Sequence, residues 1–587
     1  MKRTTIKIAG ESGMGLVSVG MILAKTLKKM GFYLTMDREY PSLIKGGHSN
    51  LQIDFDDEPL YALSTTVDMV MALDRAGLEA YVKVIRKGGV LIHGYEKRDQ
   101  IKDLEQSAHE RGVKLVYLPA RQVAYSFGGN ELMVNMVLLG MLWRVLGFEP
   151  EVLESFVQEQ FVNKPKLLEI DLQCVRVGYA GEFKDEKVEF PKFSIKVPAK
   201  KPETILVDGN LSLALGAIHA GVRAYYVYPM SPSSSIFTHL ANFSSETKMV
   251  VKQAEDEITA AQMAIGSMFM GTRALTATSG GGFDLMTETV SLAGMTETPL
   301  VVVVAQRPGP ATGLPTWTAQ SDLNLAVYAG HGEYARIVVA CSDPLSCFEL
   351  IQHAMNLAEE YQTLVVVLTE KVIAEMQVTV PIFSQKKIPI KRGLVSEERL
   401  KDIVAADRFR INDSGVSKRW MPCSSDVFYF GNGDEHREDG VLTEEADECK
   451  AMYAKRMRKL HTIESALPEP EVFGVKKNAD ISFIGWGSTK NAMRDVIREC
   501  EEGGVKVNYL HYEYVYPVKV ERLVKFLKEN KNVCLIEGNY LGQLGELLKA
   551  KLQEVGVLFA FEKRFLKYDG RPFFVEEVKK FVERNIK

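Results

Sequence analysis

Four short polar segments between residues 209 and 322 hold the side chains best suited to chemistry. They are Tyr228-Pro229-Met230-Ser231-Pro232-Ser233-Ser234-Ser235, Gln253-Ala254-Glu255-Asp256-Glu257, Thr276-Ala277-Thr278-Ser279-Gly280-Gly281-Gly282 and Gln306-Arg307-Pro308-Gly309-Pro310. The first supplies hydroxyls on a proline-stiffened loop, the second a run of carboxylates, the third a glycine turn whose N–H groups at a helix start would favour an anion. The fourth supplies Arg307, available to pair with a carboxylate. Taken singly, each has a plainer reading. Serines beside prolines make turns, glycines tighten helix–sheet packing, an arginine after a buried strand pairs with a structural acid, and acids at a helix start complement its dipole.

The elements that must position these loops follow from hydrophobic periodicity. Residues 273–277 alternate like a strand, the glycines permit a tight turn, and helical spacing resumes at Asp284. Residues 299–305 are almost pure Val and Leu, a strand buried on both faces, so Gln306 and Arg307 fall at its end. Residues 210–221 and 258–270 read as helices and 226–228 as a strand. Each polar segment therefore follows an apolar run, where open parallel sheets place their ligands.

A chain of 587 residues exceeds one core and predicts about three to five domains. With 46% hydrophobic and 25% charged residues the composition is that of a soluble globular protein, and a net charge of −4 gives no electrostatic reason to expect nucleic acid or an anionic membrane as partner. No apolar run is long enough to span a bilayer, and Lys2 and Arg3 lead into a short strand rather than a secretory pattern. A cytoplasmic location is expected. The seven cysteines are odd in number and include no Cys-x-x-Cys, which fits free thiols and leaves this chain unable to hold an iron–sulfur cluster alone.

At the N-terminus a strand at 4–9, the turn Gly10-Glu11-Ser12-Gly13-Met14-Gly15 and an amphipathic helix at 16–30 approximate a dinucleotide fingerprint. Residues 37–41 and 44–49 read as a polar loop in which Lys45 and His48 could meet an anion. Residues from about 180 to 203, with Phe190-Pro191-Lys192 and the run 196–202, read as a solvated basic linker. Residues 431–436 make a turn rather than a metal site. Residues 443–461 form a helix with acids first and Lys455-Arg456-Met457-Arg458-Lys459 last, which reads as a solvated strut or contact arm. Strands at 481–484, 505–510 and 533–536 alternate with helices in a last α/β unit.

The ordered segments from Gly209-Asn210 through Tyr228-Pro229-Met230-Ser231-Pro232, Ala254-Glu255-Asp256-Glu257-Ile258, Thr276-Ala277-Thr278-Ser279-Gly280 and Thr312-Gly313-Leu314-Pro315-Thr316 to Gln320-Ser321-Asp322 resemble the alpha subunit of 2-oxoacid:ferredoxin oxidoreductases. The likeness is to the subfamily with a gamma domain fused ahead of alpha. It implies a multidomain α/β protein. The parts are a Rossmann-like gamma domain at 1–185, a pyrimidine-type thiamine diphosphate and 2-oxoacid domain at 204–385, an irregular connector with a helical arm at 386–475, and a transketolase C-terminal-like domain at 476–587.

The resemblance assigns roles. Glu257, with Glu255 the alternative, becomes the carboxyl that holds the aminopyrimidine of thiamine diphosphate. In a dry site such a group favours the imino tautomer needed for proton abstraction at the thiazolium carbon. Tyr228, Pro229, Ser231, Ser233, Ser234, Arg307 and Trp317 become 2-oxoacid contacts, and Thr278, Ser279 and Gly280 cofactor contacts. Gly10, Gly13, Gly15, Lys45 and His48 would meet the phosphates of coenzyme A. No complete Gly-Asp-Gly motif is present, only Gly433-Asp434-Glu435 and Asp208-Gly209-Asn210. The diphosphate, its Mg2+ and the iron–sulfur cluster are therefore implied to sit on a beta subunit, in a hetero-oligomer such as (alpha-beta)2 that reduces ferredoxin.

This chain departs from the family in carrying Ser231 for the usual threonine, Trp317 for a basic residue and Ala319 for a glutamate. An apolar or aromatic 2-oxoacid is thus as well suited as 2-oxoglutarate. The implied activity is coenzyme-A-dependent oxidative decarboxylation of a 2-oxoacid in an anaerobic or thermophilic host. The rivals are an acyl-CoA ligase and a scaffold subunit whose site has decayed.

Overall fold

The computed structural model describes residues 3–41, 48–193, 195–386 and 388–586. They divide into two compact units, one of residues 1–207, 376–382 and 574–576, the other of 208–375, 383–573 and 577–587.

In the first unit the strands run in the order Lys114–Tyr117, Ile85–His93, Val67–Ala72, Thr4–Glu11, His48–Asp56, Tyr33–Glu39, Gln377–Pro381 and Thr204–Val207. The first four are mutually parallel and the remainder pair antiparallel. Two strands flanking the central stretch, Thr204–Val207 and Gln377–Pro381, thus belong to this sheet. The helix Leu16–Met30 begins and ends where its periodicity predicts, sending Leu16, Val19, Leu23 and Leu27 into a core shared with the helix Glu131–Leu146. The segment around Gly140 is accordingly core.

Two expectations fail here. Residues 37–39 are strand, not loop, because a hairpin gives their polar groups partners. Asp37 pairs with Gln52 in register, and the Asn50 side-chain amide donates to the Glu39 carboxylate at 2.8 Å. The segment 190–202 is not wholly solvated either, since Phe190, Phe193 and Ile195 pack on the core. A proline-rich chain still buries aromatic side chains when a hydrophobic surface lies beside it.

The second unit contains two sheets. One runs Val250–Gln253, Ala224–Val227, Ala274–Thr278, Leu300–Gln306, Leu364–Glu370, Arg336–Ala340 and Tyr514–Tyr516, parallel except for the last strand. Leu300–Gln306 and Leu364–Glu370 are buried along their whole length, which explains their unbroken apolar sequence. The other runs Glu471–Gly474, Val507–Tyr512, Ile481–Trp486, Val533–Glu537 and Lys563–Leu566, parallel after its first pair. Hydrogen bonds to the buried Glu370 carboxylate join the two sheets, from the Ser488 hydroxyl at 2.6 Å and the Gln320 side-chain amide at 2.7 Å.

The helix Ala446–Ala466 is not a solvated strut. Its Lys455 and Lys459 ammonium groups are fully buried on the Glu297 carboxylate, and Arg456 pairs with Glu435. Burial alone would raise the Glu297 carboxyl, but Lys455, Lys459 and Arg408 hold it below the usual carboxylate range. Because the helix continues past residue 461, the cations lie in its middle and face the unit rather than complementing its C-terminal dipole. Among the described residues no helix is long and apolar enough to cross a membrane, and no group of His, Cys, Asp or Glu is placed to hold a metal ion.

Candidate functional site

The junctions after the parallel strands of the second unit converge on one buried and one half-buried carboxyl group and an arginine. The three consecutive acids are sorted by the start of the helix Glu257–Phe269. Asp256 adopts extended backbone and its carboxylate accepts from the Thr259 amide at 2.7 Å, a helix cap that lowers its pKa. Glu255 is exposed. Glu257 turns inward and is 4% exposed, and its Oε1 has no hydrogen-bond partner. A buried polar atom without a partner costs about 1–3 kcal/mol, so Glu257 Oε1 is an acceptor the chain itself leaves open.

The glycine-rich turn makes room for this group. A Cβ at Gly282 would stand 2.8 Å from Glu257 Oε1 and 2.0 Å from Thr278 Oγ1. Thr278 and Ser279 are buried, and the Ser279 hydroxyl is without a partner. The helix Gly280–Leu285 is one short segment, and it meets carboxyl groups: Glu257 at Gly282, and Asp322, whose Oδ2 would lie 2.5 Å from a Cβ at Gly280.

Arg307 donates from Nη1 to the Ser231 carbonyl at 2.7 Å, tying the strand Leu300–Gln306 to the proline–serine loop. Burial lowers its pKa, opposed by the charge of Asp322. Of the loop hydroxyls, that of Ser233 is fully buried and donates to the Met230 carbonyl at 2.8 Å, so it builds the turn rather than facing a ligand. Ser234 begins the helix Ser234–Asn242, Pro229 is half-buried, and Tyr228 is exposed. The loop is braced by Asn210, whose side-chain amide donates to the Pro232 carbonyl at 2.8 Å and the Ser235 hydroxyl at 2.6 Å. Trp317 is half-buried with the Arg571 guanidinium carbon 3.2 Å from its ring centroid. A cation therefore stands at the tryptophan after all, brought from a distant stretch of sequence.

The structure thus brings Glu257, Thr278, Ser279, Gly280, Arg307 and Ser231 into one cluster. Asp322 belongs to it and was missed from sequence, because an aspartate directly ahead of a helix reads as its N-cap. Burial pushes its carboxyl up to about 6, against the pull of Arg307.

In the first unit the predicted anion residues form a second cluster. Gly10 pairs with Ser49 and Glu11 with His48 across the two strands, which sets His48 beside the Gly10–Gly15 turn. Both nitrogens of its ring lack partners, the ring packs on Tyr81 at 5.3 Å, and burial lowers its pKa. Gly13 and Gly15 take φ of 99° and 80°. Lys45 lies outside the described residues.

Comparison with known proteins covers nearly the whole chain. Residues 215–455 match the family described as pyruvate flavodoxin/ferredoxin oxidoreductase, thiamine diP-bdg, and residues 5–181 the family described as pyruvate ferredoxin/flavodoxin oxidoreductase. The 2-oxoacid:ferredoxin oxidoreductase subunit alpha of Saccharolobus solfataricus is 30% identical over 99% of this chain and 97% of its own. The 2-oxoglutarate oxidoreductase subunit KorA of Mycobacterium tuberculosis is 28% identical over 99% and 91%. The solved 2-oxoglutarate:ferredoxin oxidoreductase from Magnetococcus marinus, with 2-oxoglutarate, coenzyme A and succinyl-CoA bound, aligns over 100% of both chains with a TM-score of 0.89 and 28% identity.

Proposed function

The chain belongs to the family of 2-oxoacid:ferredoxin oxidoreductase alpha subunits, and from that premise we propose how its two clusters divide the work. The second unit binds a 2-oxoacid and the pyrimidine side of thiamine diphosphate. The turn at Gly10–Gly15 with His48, and with Lys45, receives coenzyme A. The beta subunit supplies the diphosphate site, Mg2+ and the iron–sulfur cluster in a hetero-oligomer that reduces ferredoxin in the cytoplasm.

The observation that carries this reading is Glu257. Its buried, partnerless Oε1 over the bare Gly282 fits a flat heterocycle nitrogen that donates or shares a proton. Thiamine diphosphate, when bound, supplies a nucleophilic carbon and stores the electrons left by decarboxylation. Glu257 holds the proton at its carboxyl oxygen and orients the ring. Thr278 and Ser279 line the neighbouring space. Arg307, steadied by the Ser231 carbonyl, pairs with the substrate carboxylate while Ser231 and Ser234 border it. Tyr228 and Trp317 close the outer side and exclude water.

The test is viologen reduction by the co-purified complex with thiamine diphosphate and coenzyme A, across pyruvate, 2-oxoglutarate, branched-chain and aryl 2-oxoacids. Turnover that depends on both additions and is lost in Glu257→Gln is the expected result. Wild-type turnover by Glu257→Gln would sink the assignment, because the carboxyl would then be dispensable.

A further inference from the structure

Among the aspartates that precede helices, Asp322 behaves differently from the rest. Asp74, Asp208, Asp256 and Asp343 each accept from a backbone amide three residues on, at 2.7 to 2.8 Å. Asp322 precedes the helix Leu323–Tyr328 and makes no such bond. Its side chain turns instead toward Gly280, and its Oδ2 is buried without a partner.

This orientation is held from both sides. The Asp322 amide donates to Gln306 Oε1 at 3.0 Å, the Asn324 amide donates to Gln543 Oε1 at 2.9 Å, and the Gln543 side chain donates to the Ser321 carbonyl at 2.8 Å. The groups the structure places at the carboxyl are the Arg307 cation and the bare Gly280. Glu257, the fully buried acid of the cluster, packs on Gly282.

An arginine that collects a substrate carboxylate cannot share its space with a second ionised carboxyl at low cost. Two carboxylates in one site raise the pKa of one of them. We propose that Asp322 is a further substrate-binding residue that takes up a proton as the 2-oxoacid binds, donating its O–H to the substrate's anionic end beside Arg307. This rests on the 2-oxoacid reading above. The proton comes from solvent, the substrate stays an anion, and no other bond changes. Burial has already brought the group close to neutrality, at about 6. Below that pH it is protonated before substrate arrives, so affinity is insensitive to pH. Above it each pH unit costs up to about tenfold in affinity.

The experiment uses the assembled complex. With wild type the KM of the preferred 2-oxoacid should rise about tenfold or more between pH 6.5 and 8. Adding oxamate, an unreactive 2-oxoacid analogue, to weakly buffered complex at pH 7.5 should take up about one proton per site. In Asp322→Asn, whose side-chain amide donates at every pH, the KM should vary less than about twofold, with the thermal unfolding midpoint confirming a folded chain. A flat wild-type KM, an unchanged slope in Asp322→Asn, or no proton uptake with oxamate would overturn the proposal while leaving turnover, and the parent reading, intact. Absence of turnover with every 2-oxoacid would overturn both. The oxamate measurement needs no variant and stands even where Asp322→Asn does not assemble.

Discussion

Two glycine-rich turns follow strands and open helices in this chain, one at residues 10–15 and one at 279–282, and they use glycine for opposite reasons. In the first, Gly13 and Gly15 sit at positive φ, and a Cβ on Gly13 would touch nothing within 4 Å. The requirement there is conformational. In the second, none of the three glycines has positive φ, but a Cβ at Gly280 or Gly282 would collide with Asp322, Thr278 or Glu257. The requirement there is space for acidic side chains. A turn of the first kind exposes backbone to a ligand, while one of the second kind lets side chains reach it. The same local sequence grammar therefore answers two different structural requirements.

Variants can break this contrast. The largest effect is expected from Glu257→Gln, a loss of about a hundredfold or more in kcat with little change in stability, measured by viologen reduction and thermal unfolding. A kcat within tenfold of wild type would remove the second turn's chemical reason. Gly282→Ala should follow, because its methyl group meets both Thr278 and Glu257. Overpacking of this kind costs about 1–3 kcal/mol, and turnover should fall more than tenfold. Denaturant unfolding that shows no loss would mean the turn yields easily and space is not what glycine provides.

Gly280→Ala should act more selectively by displacing Asp322. A rise of up to about tenfold in the KM for the 2-oxoacid should come with a weakened pH dependence, and an unaltered pH profile would separate Gly280 from Asp322. The smallest effect belongs to Gly13→Ala. Left-handed backbone costs a non-glycine residue about 1 kcal/mol, and the KM for coenzyme A should rise severalfold while that for the 2-oxoacid stays constant. Equal shifts in both would erase the division of labour between the turns.

Much of the architecture was legible because it is written in local periodicity. The helix Leu16–Met30, the strand Leu300–Gln306 and the start of the helix Glu257–Phe269 lie within a residue or so of where apolar spacing puts them. The candidate site was half legible. Glu257 and Arg307 follow apolar runs, and the four loops fall at one edge of a parallel sheet, as their order along the chain requires.

Local spacing thus specifies the set of elements and the types of group at their ends, since these depend on neighbours three or four residues away. The tertiary structure alone decided which groups are dry and which are paired. It buried Lys455 and Lys459 on Glu297, closed Ser233 into a turn, and brought Arg571 onto Trp317 from across the chain. It also turned Asp322 away from the helix it precedes and toward Gly280. Burial and charge pairing are sums over groups far apart in sequence, so no local window contains them. An aspartate ahead of a helix looks the same in sequence whether it caps that helix or faces a substrate, and only the packing around it separates the two.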